Sequence, residues 1–162
     1  MYSVSKLKEW EGMDGVGCHG EIRDNKGKPV AVFRDEGSGG GLFVDPFYDL
    51  KTQTYQTPAY DEFKEWAADH PVLPEIAKMW GFTPNGNGLD LVVEFLIVES
   101  RITKEKKKGY LCYQLPSQPL TFMGAKTGRK KTKYDEPTLK WLMSVEPTAI
   151  CRNTEDPDWI KE

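Results

Sequence analysis

The stretch Leu89–Lys107 constrains the fold most. Leu89, Val92, Val93, Leu96 and Ile97 recur at the three- and four-residue spacing of one helical face, and the run ends in lysines before Gly109. Lysine near a helix C-terminus complements the helix dipole, and glycine suits the position just past the last turn. A helix this long has to lay its apolar face on something. Residues 4–34 read as strands instead: Val30, Val32 and Phe43 continue a period-two pattern, while Gly12, Gly15, Gly17 and Gly20 dilute the first part.

The first part predicts strands over Ser5–Trp10, Val16–Arg23 and Pro29–Arg34. The last two form a hairpin around Asp24-Asn25-Lys26-Gly27, residues that suit a tight turn. Gly37–Gly41 reads as a flexible loop, and the aromatic stretch Phe43, Phe47, Tyr48, Tyr55 shows no clear period. Thr57, as a cap, and Pro58 open a helix whose Tyr60, Phe63, Trp66 and Ala67 share a face, and Pro71 closes it. A short helix over Pro74–Trp80 follows, then a turn-forming loop over residues 81–88. After the long helix come a strand over Tyr110–Leu115, a second over Leu120–Met123, and a basic loop over Gly124–Lys133. A helix capped by Asp135, with Leu139, Leu142 and Met143 inward, and a last strand over Thr148–Arg152 complete the order. The expected class is α+β: an N-terminal antiparallel β-hairpin or sheet, central helices, and C-terminal β-(β)-α-β elements. Residues 1–152 are expected as one domain, and 153–162 as an acidic tail in which Trp159 docks.

The charge distribution is the least random feature. Arg101 to Lys133 holds ten basic residues and one acidic residue, Glu105, whereas the rest of the chain holds 12 basic and 24 acidic residues. The net charge of −3 therefore conceals a basic segment inside an acidic chain. Its cations are Arg101, Lys104, Lys106, Lys107, Lys108, Lys126, Arg129, Lys130, Lys131 and Lys133. Lysine and arginine neutralise phosphates and carboxylates, and Tyr110 and Tyr113, if exposed, add stacking surface. These residues, with Tyr110, are the candidate partner-binding set. The bland alternative is a solvated basic face that only balances acidic surface elsewhere. A protein partner or a phosphate-rich ligand is the expected occupant. The acidic whole, with a sequence pI near 5.5, disfavours general nucleic-acid binding.

Catalytic constellations fare worse. Cys18-His19 lies on a strand, where neighbours point to opposite faces, so the two do not meet as nucleophile and base. Cys18, Cys112 and Cys151, with His19, lack metal-ligand spacing and read as reduced thiols. Gly124-Ala-Lys-Thr-Gly128-Arg-Lys130 misses the P-loop spacing and has Lys131 where Ser or Thr belongs. Glu62 and Lys64, with Asp45 or Asp49, imitate a metal nuclease, but residues two apart on a helix do not share a face. No catalytic residue, metal or cofactor is assigned. A small carboxylate-dependent hydrolase or nuclease is kept as an alternative. A second alternative is a protein that binds or sequesters a nucleotide or small-molecule signal. In it Gly37, Ser38, Gly39, Gly40 and Gly41 close over phosphates beside an aromatic wall from Phe43, Phe47 or Tyr48.

The pattern Glu11-Gly12-Met13-Asp14-Gly15-x-Gly17, a hairpin, then Asp35-Glu36-Gly37-Ser38-Gly39-Gly40 resembles uncharacterised small accessory proteins of tailed bacteriophages. The order of elements in the back half is similar too. The resemblance implies a small accessory protein, made in an infected cell, of a kind that inhibits or modulates a host or anti-phage defence component; the lack of a catalytic constellation and the segregated charge make a non-catalytic binding protein the leading expectation. It implies a cytoplasmic location in the host. The start MYSVSKLKEW has no apolar leader core, and Leu89–Val98, which includes Asp90 and Glu94, is too short and charged to span a bilayer. No membrane association is expected.

Overall fold

The computed structural model describes residues 1–13, 15–81, 88–116, 118–121, 123, 124, 126, 127 and 130–154; for 123, 126 and 127 it describes the backbone alone. Its elements are mixed α and β, with an N-terminal four-stranded antiparallel sheet, helices, and short later strands. By its contacts the chain divides into two compact units. One comprises residues 1–70 and 85–97, the other residues 71–84 and 98–162. The expected tail from residue 155 onward, Trp159 included, lies outside the described residues.

In the first unit, β1 (Ser3–Glu11), β2 (Val16–Arg23), β3 (Pro29–Asp35) and β4 (Phe43–Pro46) form a sheet in sequential order. The β2–β3 turn closes where expected. The Asp24 side chain accepts the backbone N–H groups of Lys26 and Lys28, and Gly27 takes a left-handed φ of 77°. Alternation then sorts the residues. Ile22, Ala31 and Phe33 are buried on one face, whereas His19 and Arg34 are exposed on the other; Val30, next to Ala31, is buried too, beside the register shift between Ile22 and Arg23. Burying a side chain such as Ile22 or Phe33 stabilises the fold by about 1.5–3 kcal/mol. Edge strand β1 is interrupted at Lys6, with φ of 52° and a register shift between Ser5 and Lys8. Such a bulge blunts an edge against pairing with another chain.

Two further strands come from the aromatic stretch that shows no period in the sequence. β5 (Tyr48–Asp49) and β6 (Thr54–Tyr55) pair, with the two tyrosine rings edge-on at 5.0 Å. Helix α1 (Thr57–Ala68) is capped by Gln56 rather than by the expected Thr57. Gln56 holds the N-cap position without a side-chain cap bond; its carbonyl accepts the Tyr60 N–H, so Thr57 is already helical. Phe63 and Ala67 are buried as predicted. His70, at the end of this unit's first segment, packs its ring between Trp66 and Phe95.

Helix α2 (Val72–Trp80) ends at Gly81, and α3 (Leu89–Lys107) has the predicted bounds. The units divide within α3, after Ile97. Its apolar face is broader than the sequence period indicates. Leu91, Phe95 and Val98 are buried together with Val92, Val93, Leu96 and Ile97. Between Leu91 and Val98 only Glu94 is exposed, so this stretch loses the one-sided period that a surface helix shows.

In the second unit, β7 (Cys112–Gln114) pairs with β8 (Met123–Gly124) and β11 (Ile150–Cys151). The expected basic loop contains a hairpin, β9 (Lys126–Thr127) with β10 (Lys130–Lys131). Helix α4 (Glu136–Val145) has the predicted Asp135 cap, in a reciprocal capping box with Thr138. Leu142 is buried and Leu139 half-buried, but Met143 is exposed, which corrects its inward placement. Met143 is one residue on from Leu142, about 100° round the helix. Arg152 is almost wholly buried. Its guanidinium holds both Glu99 oxygens, at 2.8 and 2.7 Å, and also the Gln114 side-chain oxygen.

Among the described residues no helix is long and apolar enough to cross a membrane.

Candidate functional site

The basic segment takes shape at the end of α3. The helix closes in a Schellman motif: the Tyr110 N–H bonds to the Glu105 carbonyl and the Gly109 N–H to the Lys106 carbonyl, with Gly109 at φ 73°. The left-handed glycine turns the chain back toward residues 131–134. Tyr110 forms a bridge with Lys133, the Leu111 N–H reaches the Thr132 carbonyl, and the Tyr134 N–H reaches the Gly109 carbonyl. Backbone pairing therefore joins the two basic stretches, more than twenty residues apart in the chain.

Side chains reinforce the junction. Glu105, buried, accepts Lys131 at 2.5 Å and faces Lys108 at 3.5 Å. The hydrogen bond from Lys131, helped by the charges of Lys131 and Lys108, holds its carboxyl below the usual carboxylate range, against the opposing effect of burial. Lys133 donates to the Lys108 carbonyl at 2.7 Å, satisfying an orphan acceptor at the helix end. The ammonium groups of Lys131 and Lys133 lie 5.7 and 4.3 Å from the centre of the Tyr110 ring.

The predicted set thus separates into two roles. Lys108, Lys131 and Lys133 are exposed yet engaged, by Glu105, a helix carbonyl and the Tyr110 ring. Lys104, Lys106, Lys107 and Lys130 are exposed and make no ion pair among the described residues. Arg101 is half-buried on α3. Lys126 is described in its backbone only, and Arg129 lies outside the described residues. The tyrosines are not free stacking platforms. Tyr110 already carries two ammonium groups, and Tyr113 is half-buried against Leu111, Leu142, Ala149 and Cys151. Glu105, the acid that organises the cations, is the member that sequence reasoning missed. A lone acid among lysines was its only signal.

The glycine loop is committed elsewhere. Gly37 is buried, and its N–H donates to the Asp35 carboxylate at 2.7 Å. A Cβ on Gly37 would stand 2.7 Å from the Gly17 backbone nitrogen, and one on Gly12 would stand 2.6 Å from the Gly37 carbonyl oxygen. Gly37 thus serves close backbone packing, and a carboxylate occupies the place a phosphate would take. Gly39 and Gly41 have left-handed φ, while Ser38 and Gly40 are exposed beside them. Phe43 lies beyond the loop on the open side of the sheet.

The catalytic alternatives are not assembled. Cys18 is buried and His19 exposed, on opposite faces of β2. Lys64 pairs with Asp61 rather than with Glu62. The Asp49 carboxylate accepts the Lys51 N–H. Among the described residues, no three His, Cys, Asp or Glu side chains are gathered as a metal-holding group. Cys112 is fully buried, and burial first, with the charge of Glu105 second, pushes its thiol up to about 11. That is the state of a structural cysteine, not a nucleophile. Comparisons with protein-family models, with curated proteins and with solved structures found no match to this chain.

Proposed function

We propose that this chain is a non-catalytic binding protein. It occupies an acidic or phosphate-rich surface of a partner through the end of α3 and the β9–β10 hairpin. The observation that carries the reading is the junction itself: two lysine-rich stretches are pinned together, while Lys104, Lys106, Lys107 and Lys130 stay exposed around it. The three engaged cations neutralise Glu105 and cap the helix, so the other four are available for a partner. Charged rim residues of this kind mainly set association rate and specificity.

A protein surface suits the arrangement better than nucleic-acid bases, because the nearby tyrosine rings are already engaged. The likeness to small phage accessory proteins supplies the setting, in which the partner is a host or defence component and binding blocks it.

The test is a capture experiment from infected-cell extract, with the wild-type chain and a variant carrying Lys104→Glu, Lys106→Glu, Lys107→Glu and Lys130→Glu. The reading expects a discrete protein on the wild type, released by raised salt and lost from the variant. Equal capture by both, with no effect of salt, would overturn it.

A further inference from the structure

We infer that the open face of the β1–β4 sheet binds single-stranded nucleic acid. This site lies wholly in the first unit and is independent of the cationic end of α3.

Strand register places Lys8, His19, Arg34 and Phe43 in one row, each directly opposite the next on β1, β2, β3 and β4. All four are exposed. At roughly 4.8 Å between strands the row is about 14 Å long. That exceeds the roughly 3.4 Å rise of one nucleotide along a strand. At the β1 end the Trp10 ring lies against Gly17, where an added Cβ would stand 2.4 Å from a ring carbon, and its centre is 5.6 Å from that of His19. Trp10 remains 38% exposed and Phe43 52% exposed. Large rings are therefore presented at both ends of a row that holds two cations, Lys8 and Arg34.

The row borders an open groove of about 490 Å³. A second groove, lined by Tyr48 and Tyr55, shares Val32 and Asp45 with the first. The two grooves thus run on from Phe43 to the tyrosine pair. An open track suits an extended chain better than a compact small molecule, which buries most of its surface in a concave pocket.

Charge favours the same ligand. The first unit holds eight basic residues and 15 acidic ones, yet four of those eight, Lys6, Lys8, Arg23 and Arg34, lie on this face. Against them stand Glu21, held by both Lys6 and Arg23, and Asp45. Lys8 makes no ion pair among the described residues, and Arg34 meets only exposed Glu36, at 3.5 Å. Cations that track a phosphate backbone, beside rings that stack on unpaired bases, make the physical pattern of single-strand binding.

The probes are fluorescein-labelled 12-mers of oligothymidylate and oligouridylate, with a 12-base-pair duplex beside them, read by anisotropy at low salt. We expect the wild-type chain to bind a single strand more tightly than the duplex; the two single strands distinguish DNA from RNA. Phe43→Ala should weaken binding at least fivefold and Phe43→Trp should restore it. Lys8→Glu with Arg34→Glu should weaken it at least tenfold. The four-lysine α3–hairpin variant should bind as the wild type does. Absence of binding, equal affinity for duplex, or indifference to Phe43 would overturn the inference. So would loss in the α3–hairpin variant alone, which would assign the binding to the other surface. Circular dichroism of each variant confirms folding.

Discussion

Lys131 reaches back across 26 residues of sequence to hold the Glu105 carboxylate at 2.5 Å. One buried acid thereby fixes the position of a hairpin whose other lysine, Lys130, points to solvent. Without Glu105, Lys108 and Lys131 would repel across the junction.

Glu105→Ala should therefore loosen the junction and lower stability by about 1–2 kcal/mol, the scale of a charge-assisted hydrogen bond. Denaturant unfolding measures the loss. Amide exchange at Leu111 and Tyr134, whose N–H groups cross the junction, should quicken in the variant.

Glu105 also sets a pH dependence. Its folded-state pKa lies below the unfolded one, so its contribution is fully present above the ordinary carboxylate range. It is lost as pH falls through the lowered value. Wild-type stability should thus decline on acidification over that window, and Glu105→Gln should flatten this part of the profile, as read from midpoints at successive pH values.

Arg152 is the other charged group that the fold depends on. Removing a buried partner strands the rest, so Arg152→Ala should cost about 3 kcal/mol or more by leaving Glu99 and Gln114 without their guanidinium. Replacing Lys140, whose pairing with Glu136 is fully solvated, should change the denaturant midpoint very little.

The thiols should be silent in the native chain. Cys18, Cys112 and Cys151 are all buried, and the Cys112 thiol is pushed up to about 11. A thiol reagent at pH 8 should react only as fast as the protein opens, and denaturant should release all three. The raised value means that the protonated thiol's contribution is intact below pH 9 and is lost as pH climbs toward about 11.

Much of this was legible in the sequence. The β2–β3 turn, the bounds of α3, Gly109 as its stop and the Asp135 cap each rest on local chemistry, which reads directly from residue type. The hairpin in Gly124–Lys133 was not legible, because its strands are two residues each and no alternation can show over so short a span. The β4–β6 strands were hidden in the same way, by aromatics exposed on an open face. Within the candidate site the cations were visible as a cluster. Their division into pinned and free members was not, since it depends on Glu105 being buried and on Lys133 finding a helix carbonyl. Strand register likewise aligned Lys8, His19, Arg34 and Phe43, residues that the sequence scatters over 36 positions.

The central claim is that lysines from two distant stretches act as one cationic surface on a net-negative chain. Retention on a sulfonate cation exchanger at pH 7.5 and low salt measures this directly. The wild type should be retained despite its net charge of −3 and elute with modest salt, while the variant carrying Lys104→Glu, Lys106→Glu, Lys107→Glu and Lys130→Glu flows through. A wild type that fails to bind, or a variant that elutes at the same salt, would contradict it.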